Sequence, residues 1–335
     1  MVRNWNKTIN ELLPYFKGLS NNVIINNDGH YSLPSYDTEE NILTITELCE
    51  TTLLLFSAYQ SNSKKIKKIL LLYLLIELNL DRCNLTNAER LLDELNREIA
   101  RVGDIKHIKN IDSFFEVLLL FLVGHELKHA HYNYNYKLKD EDIKSVKSNI
   151  ISLYSSSNTL KEKQIYSFIL EMPSEDSQIE ELACDIGSIK IISDYINDKH
   201  LICNIKEICT QIIRTITMLQ CVKNLKELAE FDLRKIKSRI KKLAFDIARV
   251  GNVALALSDY FDADKTGNLK EILLNEVFAY NKFLTNSLKI GLSDLWILGT
   301  AQADKMEEDA ERYEAICFQY KELAQHIKKL YLMNN

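Results

Sequence analysis

The stretch VLLLFLVGHELKHA, residues 117–130, joins an apolar run to a HExxH motif that begins at His125. A Ser-x-x-Glu capping box at residues 113–116 precedes the run and predicts a helix amino terminus about three turns before His125. The apolar run is far shorter than the roughly 18 residues that span a bilayer. We therefore interpret it as the buried part of a helix that carries the motif.

The motif places metal-binding and proton-transferring side chains together. His125 and His129 are four residues apart, so on a helix their rings share one face and can bind one metal ion. Neutral imidazole suits Zn²⁺. Glu126 lies about 100° round the helix, where its carboxylate can take a proton from a zinc-activated water. We predict a zinc site with Glu126 as catalytic base; two ordinary histidines and a surface glutamate are the alternative interpretation.

A third zinc ligand is predicted from an acidic segment further along the chain. Downstream of His129, the pattern Glu-x-x-x-Asp occurs once, at Glu181 and Asp185. On a helix these two share a face, so Glu181 is expected to bind the metal and Asp185 to accept the second ring N–H of a zinc-bound histidine. Glu180 is the competing ligand. A solvated acidic helix face that begins at Glu175 remains an alternative.

The two motifs together resemble the gluzincin arrangement of metallopeptidases. More narrowly, the block QIEELACD, residues 178–185, resembles the phage-exclusion Lit-type peptidases, which place an early β-rich stretch before helices and a HExxH motif. The resemblance covers the layout of residues 20–225, but only the two motifs match in specific residues. It implies a bacterial peptidase of abortive infection that cleaves a host protein, and the family's known target is a translation elongation factor.

Three positions near the motifs carry further expectations. Lys128 fills a position that is usually uncharged, and we predict that it faces solvent. Cys184 stands where an alanine is common. Gly187 is small, which would let its helix approach the HExxH helix closely. Neither Lys128 nor Cys184 is a proposed ligand.

The residue that would stabilise negative charge on the substrate is not determined by the sequence. Peptidases of this kind use a tyrosine or histidine donor for that purpose. Four candidates are open: Tyr132, Tyr195, His200 and His326.

Composition limits the fold and the compartment. The chain has only 9 Gly and 3 Pro, which predicts long helices and little β-structure. A net charge of -5 argues against a nucleic-acid partner. Seven dispersed cysteines without a CxxC pair favour reduced thiols, and no apolar signal segment opens the chain. We predict a cytoplasmic protein without a membrane partner.

Early residues carry the only hairpin signal. Val23–Asn26 and His30–Leu33 flank Asn27-Asp28-Gly29, a turn sequence. After Pro34 the pattern is helical, with a helix start predicted at Thr38. Later helices are expected at 140–156, 160–171, 176–198, 201–229, 231–250, 268–289 and 293–331, and Thr86 with Glu89 has capping-box spacing.

The predicted fold is mainly α, a helical metallopeptidase core with a small N-terminal β-hairpin. Its segments are residues 1–36 with the hairpin, the zinc peptidase core at 37–200, and a C-terminal helical region at 201–335 packed on the core. The predicted function is zinc-dependent cleavage of a host protein. Two alternatives are a regulatory peptidase outside phage defence and a non-catalytic helical interaction protein with a structural zinc. The oligomeric state is not predicted.

Overall fold

A computed structural model describes most of the 335-residue chain. The described residues are 5–16, 19, 24–26, 33–59, 64–81, 83–102, 111–156, 160, 163, 176–198, 204–229, 236–261, 268–277, 279 and 309–332.

Helices make up most of these residues, which confirms the predicted mainly α fold class. They are α1 Trp5–Leu12, α2 Glu47–Tyr59, α3 Lys64–Asp81, α4 Leu85–Val102, α5 Ile111–Tyr134, α6 Tyr136–Ser156, α7 Asp176–Asp198, α8 Ile205–Ala229, α9 Ile236–Phe261, α10 at residues 268–277 and α11 Ala310–Leu332. The helix predicted at 176–198 agrees with α7 at both ends. The helix predicted at 231–250 is described from Ile236 onward and continues to Phe261, while residues 231–235 lie outside the described residues.

A small sheet lies near the amino terminus. Its strands are β1 Ile24–Asn26, β2 Ser35–Asp37 and β3 Ile42–Thr44, in the order β1-β3-β2. β1 runs parallel to β3, with Ile25 beside Leu43, and β2 runs antiparallel to β3, with Tyr36 opposite Leu43. Both β2 and β3 contact α5.

The hairpin predicted around Asn27-Asp28-Gly29 lies largely outside the described residues. Its first strand, β1, takes β3 as a parallel partner. The hairpin that the structure shows is formed by β2 and β3 around residues 38–41. The turn sequence alone could not reveal that β1 pairs with a strand further along the chain.

The helix start predicted at Thr38 is wrong, because Thr38 opens the turn between β2 and β3. The Asp37 carboxylate accepts the backbone N–H of Glu39 at 2.8 Å and of Glu40 at 3.0 Å. An aspartate binds the same N–H groups when it caps a helix, so the two structures share a sequence signal. Asn41, with φ 57°, ends the turn in the left-handed region.

The capping box predicted at Thr86 and Glu89 is also wrong. α4 begins at Leu85, and the carbonyl of Asn84 accepts the first intrahelical N–H. Thr86 and Glu89 instead bind Arg312 of α11, whose guanidinium donates to Thr86 Oγ1 at 2.9 Å and to both Glu89 oxygens at 2.7 and 2.8 Å.

α5 is central to the packing. It contacts α1, α2, α6, α7 and α8, and its side chains are buried on several faces, among them Leu118, Leu119 and Leu127. α7 lies between α5, α6 and α9, while α11 packs on α2, α3 and α4. The buried apolar residues form one cluster from Ile9 to Ile327, and the three predicted segments stay a prediction. Among the described helices, none combines the length and the apolar character needed to cross a bilayer.

Candidate metal centre

The HExxH residues of α5 face the acidic residues of α7. His125 and His129 project toward α7, and their Nε2 atoms are 3.2 Å apart. Glu181 comes from the opposite side, with Oε2 3.6 Å from His125 Nε2 and Oε1 3.3 Å from His129 Nε2. The structure therefore brings together the three ligands that the sequence predicted, and their ligand atoms all lie within 4.8 Å of one another.

Two of these spacings are close to those of a tetrahedral cation site. In a tetrahedral zinc site with bonds of about 2.0–2.1 Å, neighbouring ligand atoms are about 3.3–3.4 Å apart. The two Nε2 atoms at 3.2 Å, and His129 Nε2 and Glu181 Oε1 at 3.3 Å, lie around that value. The 3.6 Å contact of His125 is made with the other oxygen of Glu181, Oε2. The three residues together can hold a metal ion.

Close packing of α5 on α7 produces this spacing. A Cβ placed on Gly124, the residue before His125, would lie 2.6 Å from Ser188 Oγ of α7. Ser188 Oγ donates a hydrogen bond of 2.8 Å to the Phe121 carbonyl one turn before His125. Gly124 and Ser188 therefore set how closely the two helices approach, a role that the sequence did not reveal.

Asp185 lies behind His125, as predicted. Its Oδ1 is 2.9 Å from His125 Nδ1, the ring nitrogen that faces away from the metal position. The Asp185 side chain is completely buried. A carboxylate in this position fixes the tautomer and orientation of a metal-binding imidazole.

Arg249 of α9 completes this side of the site, and the sequence analysis missed it. Its guanidinium binds Asp185 through two nitrogens, at 2.5 and 2.9 Å, and Glu181 Oε2 through a third, at 2.9 Å. Arg249 lies more than 60 residues from both partners, so no local spacing points to it. It also keeps the pKa of Asp185 below its usual range, against burial, which raises it.

Glu180, the competing ligand, lies on the other side of His129. Its Oε1 is 3.5 Å from His129 Nδ1, and its Oε2 is 2.7 Å from Lys139 Nζ of α6. It therefore faces the ring nitrogen opposite the one that meets Glu181. This position suits an outer carboxylate that orients His129, as Asp185 does for His125.

Glu126 stands beside the cluster, where the motif predicts the base. It is partly buried on α5, and this burial raises its pKa above the usual value for a glutamate, although His125 and His129 act in the opposite direction. A raised pKa suits a carboxylate that must accept a proton near neutral pH.

The surrounding carboxylates raise the pKa of both imidazoles. Burial lowers the pKa of His125, but the charge of Asp185 and the hydrogen bonds of Asp185 and Glu181 raise it to about 10. Burial likewise lowers the pKa of His129, and Glu180 and Glu181 raise it to about 10. The histidines oppositely lower the pKa of Glu181, against burial.

The charges around the cluster couple metal binding to proton release. Four carboxylates surround it, from Glu126, Glu180, Glu181 and Asp185, and two cations, Arg249 and Lys139, contact them. With a pKa of about 10, both imidazoles are protonated at neutral pH and balance the remaining negative charge. A divalent ion would replace these two protons, because only a neutral imidazole binds a metal.

Lys128 does not face solvent, contrary to the prediction. Its side chain is 11% exposed, and its stem lies on Gly187 of α7, where a Cβ would meet Lys128 Cε at 2.8 Å. Its Nζ is 3.0 Å from Asp142 of α6 and 4.7 Å from the centre of the Tyr132 ring. The missing side chain of Gly187 and the Asp142 charge allow a lysine to be buried there.

Two of the four candidates for oxyanion stabilisation donate their hydroxyl groups to carboxylates other than Glu181. The Tyr132 hydroxyl donates to Asp142, and the Tyr195 hydroxyl donates to Glu11 of α1, each at 2.8 Å. His326 is exposed on α11, and His200 lies outside the described residues. The described contacts therefore do not identify an oxyanion donor among these candidates.

A scan against models of known protein families found no match, and searches of curated proteins and of solved structures found none either. Within the described part of the chain, His125, His129 and Glu181 form a group that can hold a metal ion.

Proposed function

We propose that this protein is a zinc-dependent endopeptidase. In this proposal His125, His129 and Glu181 hold the metal, Glu126 is the catalytic base, and Asp185 orients His125. The observation that carries the proposal is the convergence of two imidazoles of α5 and one carboxylate of α7, whose ligand atoms lie within 4.8 Å of one another.

The donor set supports zinc and hydrolysis. Two histidines and one glutamate form a ligand set of catalytic zinc sites, which keep a coordination position open, whereas structural sites are closed by four protein ligands. Glu180 faces Nδ1 of His129 rather than Nε2, so the described residues supply three ligands. This favours an enzyme over a protein with a structural zinc, which remains the second candidate.

Each side chain would then have a defined task. A bound zinc ion supplies a Lewis acid that lowers the pKa of a water molecule toward about 7. Glu126, with its raised pKa, would accept the proton of that water and later deliver it to the leaving amine. Asp185, whose Oδ1 lies 2.9 Å from His125 Nδ1, would orient the ring so that Nε2 is turned toward Glu181.

The proposed substrate is a cytoplasmic protein, and the proposed context is phage exclusion with a host translation factor as the target. Only the resemblance of residues 178–185 and of the HExxH motif to Lit-type peptidases supports this part. A regulatory peptidase outside phage defence would use the same site with another substrate.

Metal analysis with matched variants tests the chemistry. We expect purified wild-type protein and Glu126→Gln to contain zinc, and Glu126→Gln to lack proteolysis. Glu141→Gln, the same change at an exposed position of α6, is the control and should behave as wild type. Wild-type protein that contains and takes up no zinc would contradict the proposal.

Proteomics would identify the substrate. Cells that express the wild type should show new protein termini that are absent from cells that express Glu126→Gln. Three results together would favour the structural-zinc alternative. These are that the wild type binds zinc, that His129→Ala lowers thermal stability, and that no new protein termini appear.

A further inference from the structure

Arg249 binds two carboxylates that have different tasks in the proposed site. Its Nε and one terminal nitrogen bind Asp185, which lies behind His125. Its other terminal nitrogen, Nη1, is 2.9 Å from Oε2 of Glu181, the proposed metal ligand. The guanidinium is largely buried, and its planar, rigid set of donors suits two acceptors one helical turn apart.

The two oxygens of Glu181 consequently have different surroundings. Oε1 is 3.3 Å from His129 Nε2 and has the shorter contact with the imidazole pair. Oε2 is 3.6 Å from His125 Nε2 and accepts the charge-assisted hydrogen bond of Arg249. A carboxylate without such a partner can bind a metal through both oxygens and fill an additional coordination position.

We propose that Arg249 is a positioning residue that engages one oxygen of Glu181, so that Glu181 binds the metal through the other oxygen and a coordination position stays open. This inference rests on the proposed metal site. It also gives the C-terminal region a direct part in that site, because Arg249 belongs to α9.

Asp185 fixes the orientation of the Arg249 guanidinium. The Asp185 carboxylate is completely buried and holds the guanidinium through two hydrogen bonds, so the orientation of Nη1 toward Glu181 is fixed by a second contact. A lysine at position 249 has one nitrogen and cannot reproduce this planar double contact. Arg249→Lys therefore separates the effect of charge from the effect of geometry.

The test uses cobalt-substituted full-length protein and acetohydroxamate, a small chelator that needs an open coordination position. We expect wild-type protein to bind Co²⁺ and then acetohydroxamate, followed by the visible absorption of the cobalt. Arg249→Met should still bind Co²⁺, because the three ligands remain, but its affinity for acetohydroxamate should fall by about tenfold or more. Arg249→Lys should lie between the two.

Arg312→Met is the matched control, since Arg312 forms a similar two-point contact with Glu89 between α11 and α4. It should leave the cobalt spectrum and acetohydroxamate binding unchanged. Arg249→Met that binds acetohydroxamate as tightly as wild type would overturn the inference. If Arg249→Met does not fold, Arg249→Lys with wild-type affinity would overturn it equally. Wild-type protein that takes up no cobalt would overturn the proposed function, and this inference with it.

Discussion

The contact between α5 and α7 and the contact between α3 and α11 are built from different side chains. Between α5 and α7, buried charges of His125, Asp185 and their neighbours meet across a close helix approach. Between α3 and α11, Tyr73 and Tyr320 pack with ring centres 4.7 Å apart, and both are completely buried. Buried charges contribute little net stability after their desolvation, whereas buried aromatic rings contribute much. We expect the first contact to position the side chains of the candidate metal site and the second to stabilise the fold.

The largest effect is expected at Tyr320. Tyr320→Ala removes a buried ring and its hydrogen bond of 3.0 Å to the Tyr73 carbonyl, so the free energy of unfolding should fall by about 4 kcal/mol. Urea unfolding of the metal-free protein measures this change. Phe318→Ala, on the same helix but 62% exposed, should change it by less than about 0.5 kcal/mol. Equal losses in both variants would contradict the stabilising role assigned to the α3–α11 contact.

His129→Ala should weaken zinc binding strongly and change the stability of the metal-free protein little. It removes a proposed metal ligand, so zinc affinity should fall by more than about 100-fold, or roughly 2.7 kcal/mol. Loss of a residue that only orients a ligand typically costs less than this. The unfolding free energy of the metal-free protein should change less than in Tyr320→Ala. Competition with a chromogenic chelator measures the affinity, and His326→Ala, at an exposed histidine of α11, is the control. Unchanged zinc affinity in His129→Ala would remove His129 from the site.

The close approach of α5 and α7 can be tested at Gly124. Gly124→Ala places a Cβ 2.6 Å from Ser188 Oγ, so the helices must separate or the Ser188 hydrogen bond to Phe121 must break. We expect a loss of about 2 kcal/mol in unfolding free energy, together with weaker zinc binding. Gly124→Ala combined with Ser188→Ala removes the clashing oxygen and should recover much of both. A double variant no better than Gly124→Ala would show that the clash is not the cause.

The sequence predicted the parts of this molecule that depend on local spacing. The low glycine and proline content predicted long helices, and HExxH with Glu-x-x-x-Asp predicted which side chains would meet. A local pattern was ambiguous where the same residue type is typical of two different local structures. Asp37 binds the N–H groups of Glu39 and Glu40 in a turn, as it would at a helix start, and β1 pairs with a strand that only tertiary structure brings near.

Residues that act across long sequence distances could not be predicted. Arg249 reaches Asp185 and Glu181 only because α9 packs on α7, and nothing in the sequence around it distinguishes it from Arg239 of the same helix. Lys128 was misplaced for a related reason. Its burial depends on Gly187 and Asp142 of two other helices, and the HExxH spacing describes only its own helix.

The smallest effect is expected where Arg312 of α11 binds Glu89 of α4, outside the buried contact between α3 and α11. Arg312 lowers the pKa of Glu89 below its ordinary value of 4.5, so this carboxylate stabilises the fold above pH 4.5 and loses that contribution as the pH falls through its lowered pKa. Because Glu89 is well exposed, Arg312→Met should lower the unfolding free energy at pH 7 by only about 0.5 kcal/mol. Urea unfolding at pH 7 and pH 3 should show the gap between wild type and variant narrowing at the lower pH. A gap that stays constant would mean that the arginine stem, packed against its neighbours, contributes the stability instead of the ion pair.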